Sequence, residues 1–392
     1  MEIVPSKRLR SLAPYAFAEV DASVARLKRE GVQPIDFGVG DPTSPTPPPV
    51  REACREAVHR RAAAGYPAYA GAPEFRQAAA RWLQRRFGVT VDPESEVLAT
   101  IGSKEAIFHV HEGLLDPGDR TLVPSPGYPP YHRGTLFAEG VPVPYALRPE
   151  ERFRPRLDRL PEDQFRGARA LWINYPNSPT GAVAQLDELQ AVADLCRRRG
   201  IVLFSDEAYS EIWFGDPPPS ALQTGTEGLL AFFSLSKRSA MTCYRVGFVA
   251  GDRRLVDLLR RVKTNLDSGT PTFIQDAAVA ALADEGHVAE LREEYRAKRD
   301  LLARAFVELG LPDCTPEATL YLWQKGPPGM SSEELARRLL EPDVALVTTP
   351  GTWISERLAD GTNPGEGYVR LALVPSLEES REAVKRLRRL RL

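Results

Sequence analysis

The chain has 392 residues, 43% hydrophobic and 27% charged, a composition of folded globular chains that excludes wholesale disorder. Its 51 Lys and Arg nearly balance 53 Asp and Glu, giving a net charge of -2, and no long basic tract supplies the surplus typical of a nucleic-acid binder. The length suits two or three domains at about 150 residues each. Along the chain, the proline-dense segment 40–50 is predicted to be an extended loop, because each proline fixes its own φ and biases its neighbour away from helix. Seven short apolar runs follow, at 97–101, 121–124, 141–145, 170–174, 201–205, 229–234 and 246–250, with helical patterns at 104–115, 130–139 and 186–199 between them. Apolar runs alternating with helices predict an α/β fold with a mainly parallel seven-stranded sheet covered on both faces. The last two runs are joined by about ten residues, too few for a helical crossover, so an antiparallel member is expected there. Beyond residue 252 helical patterns dominate to 309. Strand-like 320–325, 345–348 and 368–373 and a helix from 377 then predict a smaller α+β domain, with a boundary near 285. The arginine-rich tail 385–391 alternates with leucine and reads as the charged face of that last helix.

The four cysteines, Cys54, Cys196, Cys243 and Cys314, are widely separated with no C-x-x-C pair, which fits a reducing compartment rather than a disulfide or zinc framework. Residues 1–22 lack the apolar core of a signal peptide, and nowhere is there an apolar run of about 18 residues. A cytoplasmic protein with no membrane or nucleic-acid partner and no metal is expected. His109 and His111, two apart on a predicted helix, face different sides and are not read as metal ligands.

Ligands of open parallel sheets bind beyond the carboxyl ends of the strands, so the residues after each apolar run are the candidates. Run 97–101 is followed by Gly102, Ser103 and Lys104, small residues at a helix start whose free N–H groups suit a phosphate, although the same pattern also serves as a plain helix cap. Run 201–205 ends in Asp206, Glu207, Ala208 and Tyr209, where a carboxylate could meet a cation or cap a helix. Run 229–234 leads into Ser234, Leu235, Ser236 and Lys237, with Arg245 eight residues on. A lysine among small hydroxyl residues at the end of an apolar strand is unusual; desolvated, its amine loses basicity and becomes a nucleophile able to form a Schiff base. Ser234 and Arg245 could then bind an anion beside it. Ser234 to Lys237 also fits S-x-x-K, but the S-D-N and K-T-G partners of that acyl-transfer motif are not matched by Ser205-Asp206-Glu207 or Lys263-Thr264-Asn265.

Taken in order, Tyr66, Gly102-Ser103-Lys104, Tyr128, the stretch Asn174-Tyr175-Pro176-Asn177-Ser178-Pro179-Thr180-Gly181, Asp206-Glu207-Ala208-Tyr209, Ser234-Leu235-Ser236-Lys237, Arg245 and Arg370 resemble the class I/II aminotransferases, pyridoxal-phosphate enzymes of fold type I. The resemblance implies a division into an N-terminal arm with part of the small domain (1–45), a large cofactor-binding domain (46–285) and a C-terminal small domain (286–392). It implies that Lys237 holds pyridoxal 5'-phosphate covalently and then moves the α-proton, that Asp206 pairs with the pyridine nitrogen, and that Tyr209 bonds the ring's phenolic oxygen. Tyr128 would stack on the ring. Ser103, Lys104, Ser234, Ser236 and Arg245 would hold the phosphate, with Tyr66 reaching the phosphate of a neighbouring subunit, so that a homodimer with shared sites is implied. Arg370 would clamp the substrate carboxylate in a two-bond fork, with the Gly40 backbone beside it. Where the family carries asparagine before Pro-Thr-Gly, this chain has Ser178, with Asn177 one residue earlier; Asn177 is expected to supply the contact, with Ser178 the alternative.

The implied activity is transfer of an amino group from an L-amino acid to a 2-oxo acid by a ping-pong mechanism. The alternatives are a β-lyase on the same scaffold, since the cofactor activates any bond at Cα, or a non-catalytic binding protein. The wording of the Asn174–Gly181 stretch and of Gly-Asp-Pro at 40–42 is similar to that of diaminopimelate and N-succinyldiaminopimelate aminotransferases, and Tyr15 resembles an arm residue that reaches the substrate in them.

Overall fold

The structure, a computed structural model, describes residues 1, 3–10, 12, 18–42 and 44–392. Its strands in chain order are β1 (Ile35–Asp36), β2 (Val97–Thr100), β3 (Arg120–Ser125), β4 (Val141–Ala146), β5 (Ala168–Asn174) and β6 (Val202–Asp206). They continue with β7 (Leu229–Ser234), β8 (Gly247–Gly251), β9 (Tyr321–Lys325), β10 (Leu346–Val347), β11 (Thr349–Pro350) and β12 (Tyr368–Ala372). The large sheet has the order β2-β8-β7-β6-β5-β3-β4, and the seven predicted runs are its seven strands. All neighbours are parallel except β8, which runs antiparallel to both β2 and β7. The short connection from β7 to β8 has that consequence, as the loop length requires.

Both faces of this sheet are dry. Along β5, Leu171 and Ile173 enter one apolar cluster while Ala170 and Trp172 enter another on the opposite face, the period-two alternation of a strand covered twice. The helix Ser103–Leu114 covers one face with Ala106, Ile107 and Val110, and Pro73–Phe87 covers the other with Phe75, Ala79, Trp82 and Leu83. One expectation fails locally. The proline-dense segment is not extended to residue 50, because a helix, Pro48–Arg60, begins inside it. A proline in the first turn has no N–H to lose and arrives with a helical φ, so three consecutive prolines can open a helix as well as bar one.

A second core gathers Ile35 and Phe37, the segment Tyr209–Phe214, and residues of β9, β10, β12 and the helices Gly286–Glu308, Ser332–Leu339 and Leu377–Leu387. Its three-stranded antiparallel sheet is ordered β11-β12-β9, and β1 pairs in parallel with β10. The last helix starts with a reciprocal cap between Ser376 and Glu379 and ends at Leu387, so residues 388–391 lie beyond it. No described helix is long and apolar enough to cross a membrane, and the described residues contain no group of three acidic, histidine or cysteine side chains able to hold a metal ion.

Candidate active site

The carboxyl ends of β2, β3, β5, β6 and β7 open on one edge of the large sheet, and the antiparallel β8 begins there. The strands therefore deliver Ser103, Tyr128, Ser178, Asp206, Ser234, Lys237 and Arg245 to a single edge. A cavity of about 350 Å³ at that edge is lined by Asp41, Ser103, Lys104, Tyr128, Ser234, Ser236, Lys237, Thr242, Cys243 and Arg245.

The anion end of the cavity is built largely from backbone. Gly102 has φ +70, and a Cβ there would stand 2.3 Å from Nη2 of Arg245, so only glycine lets the guanidinium lie against this turn. Arg245 itself holds φ +53, an uncommon conformation for a residue with a side chain. Its Nη1 donates to Thr242 O (2.8 Å) and to Ser236 Oγ (3.3 Å), and Ser234 Oγ accepts from the Ser236 N–H (3.3 Å). Ser234 and Ser236 are buried, whereas Lys104 and Arg245 are exposed at the rim.

Lys237 sits one turn past β7 on the short helix Leu235–Arg238, and its Nζ donates to the carbonyl of Gly40. Burial lowers its pKa; Arg370 and Arg245 push in the same direction, while Tyr321 and Asp41 oppose. Asp206, at the end of β6, is 3% exposed. It accepts from the Tyr131 hydroxyl at 2.6 Å and from the Ala208 N–H at 3.1 Å. Burial still lifts its carboxyl to about 6, because those two donors do not replace a full hydration shell. A carboxylate in this state is suited to a cation that enters later.

Arg370 on β12 donates from Nη2 to Gly38 O (2.8 Å) and to Thr349 Oγ1 (3.4 Å), while its buried Nε has no partner among the described residues. Its Cζ lies 4.6 Å from the centre of the Tyr321 ring. Strand register explains the contact: Arg370 stands opposite Trp323, so Tyr321, two residues away on the same face of β9, is its diagonal neighbour. The Tyr321 hydroxyl is 2.9 Å from that of Tyr209 and stands beside the Ser178 side chain. A Cβ on Gly40 would collide with it at 2.1 Å, so glycine is required where the loop crosses the phenol. Burial alone would raise the Tyr321 phenol, but Arg370, Lys237 and the contacts with Tyr209 and Ser178 together bring it below its ordinary value.

Asn177 and Ser178 are held differently. Asn177 Nδ2 donates to Asn174 O (3.2 Å), and Asn177 Oδ1 accepts from the N–H (3.2 Å) and hydroxyl (2.7 Å) of Thr180, so both amide atoms are engaged inside the loop. Ser178 stands beside Tyr321, whose pKa it helps to lower. Tyr66 is 91% exposed and stands apart from the other candidates within one chain. Tyr15 lies outside the described residues. Sequence reasoning missed Tyr131 and Tyr321. The first lies three residues after Tyr128 at the start of the helix Pro129–Phe137, and the second lies in the strand that pairs with that of Arg370; the pairing register would have found it. His111 is buried and accepts from the Trp172 indole N–H (2.9 Å), which explains it as a structural residue.

Comparison with known proteins gives the same family throughout. The profile described as "Aminotransferase class I and II" matches residues 32–387. The chain is 42% identical over 387 residues to LL-diaminopimelate aminotransferase 2 of Trichormus variabilis, covering 97% of each, and 41% identical to LL-diaminopimelate aminotransferase of Aquifex aeolicus, covering 99% of each. Among solved structures it is similar to an aspartate aminotransferase of Thermus thermophilus, with TM-score 0.90 and 31% identity, covering all of both chains. The β-lyase alternative finds no support, because these full-length relatives are aminotransferases. On this match the chain belongs to the class I and II aminotransferase family.

Proposed function

We propose that this aminotransferase uses pyridoxal 5'-phosphate and takes LL-diaminopimelate as its amino donor. The observation that carries the cofactor reading is a buried lysine amine of lowered pKa at the same sheet edge as a buried carboxylate of raised pKa and an arginine whose buried Nε has no partner among the described residues. The residues present fit the group. Gly102 lets the Arg245 guanidinium lie against the helix start that an anion would meet, where any Cβ would intrude. When bound, the cofactor supplies an electron sink for the pair left at Cα once its proton departs.

The chain's own residues do the rest. Ser103, Ser234, Ser236 and Arg245 would hold the phosphate, with the Lys104 N–H. Tyr128 would cover the ring, Tyr209 would donate to the ring's phenolic oxygen, and the Asp206 carboxylate would keep the pyridine nitrogen protonated. Lys237 Nζ would hold the cofactor, then take the proton from Cα and return it, a role suited to an amine whose pKa burial has lowered toward ambient pH. Arg370 would grip the α-carboxylate with Nε and an Nη, beside Gly40. A homodimer follows from the same reading: Tyr66, exposed in one chain, would reach the phosphate held by a second. The four cysteines are unpaired, which suits a reducing compartment.

The donor identity rests on the relatives named above. It is tested by a panel of LL-diaminopimelate, its N-succinyl derivative, aspartate and alanine, each with 2-oxoglutarate. Glutamate formed fastest from LL-diaminopimelate is the expected result. Preference for another donor would refute the substrate, and ammonia in place of glutamate would refute transfer itself.

A further inference from the structure

We infer that Tyr321 is a positioning residue of the transamination site: its hydroxyl fixes the direction of the Tyr209 hydroxyl while its ring carries the Arg370 guanidinium. This deepens the pyridoxal-phosphate reading and rests on it. The geometry has three independent parts. The two phenol oxygens are 2.9 Å apart, and either could be the donor. The Ser178 side chain stands beside the Tyr321 hydroxyl, where it helps to lower the phenol's pKa. The Arg370 Cζ lies 4.6 Å above the ring centre, held there by the diagonal register of β9 and β12. Gly40 leaves the phenol its space, since a Cβ would overlap the hydroxyl.

Each phenol has one hydrogen. If Tyr209 gives its hydrogen to the cofactor's ring oxygen, its own oxygen must accept, and the hydroxyl at 2.9 Å is Tyr321. Ser178 then donates to Tyr321, Tyr321 to Tyr209, and Tyr209 to the ring. Donors aligned in one direction polarise one another, so the bond at the ring end is strengthened by the two behind it. Ser178 stands where the family's asparagine would contact the ring oxygen directly; here it acts through a phenol, which gives the departure a physical role. The ring of Tyr321 meanwhile fixes the height of Arg370 over the cleft, leaving Nε unpartnered for the substrate.

The test uses the reconstituted full-length enzyme and reads cofactor absorbance as a function of pH alongside steady-state constants. Tyr321→Phe keeps the ring and removes the hydroxyl. A donor on the ring oxygen draws off the negative charge that helps hold a proton at the Lys237 nitrogen, so weakening it should raise the pH of the absorbance change by roughly 0.2–0.6 units. KM for the amino donor should stay within about twofold, because the platform under Arg370 remains. Tyr209→Phe should shift the absorbance further in the same direction, and adding Tyr321→Phe to it should produce no further rise, since the route through Tyr209 is already cut and only the direct pull of Tyr321 on the Lys237 proton is lost. Tyr321→Leu removes the platform as well and should raise KM by roughly 2- to 30-fold over Tyr321→Phe. Identical absorbance titrations for wild type and Tyr321→Phe would overturn the inference, as would an equal shift from Tyr321→Phe with and without Tyr209. A wild-type chain that develops no pH-dependent cofactor band at all would instead overturn the cofactor reading, and this inference with it.

Discussion

Replacing Asp206 by asparagine is expected to stabilise the cofactor-free protein and to impair the loaded one. The carboxyl is 3% exposed, and its pKa is lifted from an ordinary 3.8 to about 6. Keeping it ionised at pH 7 therefore costs about 3 kcal/mol, at ~1.4 kcal/mol for each pH unit. The sign follows from proton binding. Between the two values the folded chain holds a proton that the unfolded chain has released, so stability falls as pH rises from about 4 to 6 and is level above. Asparagine is neutral throughout and isosteric, and it can still accept from the Tyr131 hydroxyl that lies 2.6 Å from Asp206 Oδ2. Its amide nitrogen cannot accept from the Ala208 N–H, which offsets about 1 kcal/mol. Cofactor-free Asp206→Asn should therefore exceed wild type by about 2 kcal/mol at pH 7.5 and lose the advantage near pH 4. Thermal midpoints of both proteins, stripped of cofactor and scanned from pH 4 to 8, measure this directly. With cofactor the order should reverse, because an amide cannot pair with a pyridinium; losing a charge-assisted bond of about 1.5–3 kcal/mol weakens cofactor affinity by roughly 10- to 150-fold. If the cofactor-free variant were less stable than wild type at pH 7.5, or the two midpoints ran parallel with pH, the buried carboxylate would not be the strained group described here.

Glu207→Gln is expected to remove a second pH slope: burial lifts this carboxyl to about 7, one oxygen accepts from Ser205 and Ala221, and the other is buried without a partner, so wild-type stability should fall between pH 4.5 and 7 and the variant's should not. An unchanged slope in thermal scans would count against it. Arg370→Lys keeps the charge but loses both the fork and the stacking on Tyr321, so KM for the amino donor should rise roughly 10- to 150-fold while cofactor absorbance stays intact. Loss of the cofactor in that variant would mean the arginine holds a different group. Lys237→Ala should abolish turnover and the lysine-dependent cofactor band, and wild-type rates in it would remove the lysine from the mechanism.

What could be read from the residues, and what could not, divides along the range of the contacts involved. The strands of the large sheet are apolar on both faces, so seven uninterrupted apolar runs were visible, and the residues just past their ends needed only the rule that ligands sit there. Asp206 and Lys237 each lie within three residues of such an end. The choice between Asn177 and Ser178 was of another kind. It depended on Asn177 closing its own loop against Thr180, and a short polar side chain that can bond its neighbours' backbone gives no sign in the sequence of which bond it makes. The helix at Pro48 was hidden because proline in a first turn and proline in an extended loop share one φ. Tyr321 was out of reach for a third reason. Its role is fixed by a register, Arg370 opposite Trp323, and by a contact with Tyr209, 112 positions away. A one-residue slip of β9 would turn the phenol to the other face and leave every local pattern in the sequence unchanged. The residues gathered on one sheet edge are thus specified locally, whereas the group that ties that edge to the strand of Arg370 exists only once both sheets have formed. That ordering is why Tyr321→Phe, silent in any reading of the strand pattern, is the substitution that best separates a merely packed phenol from one that orients a proton.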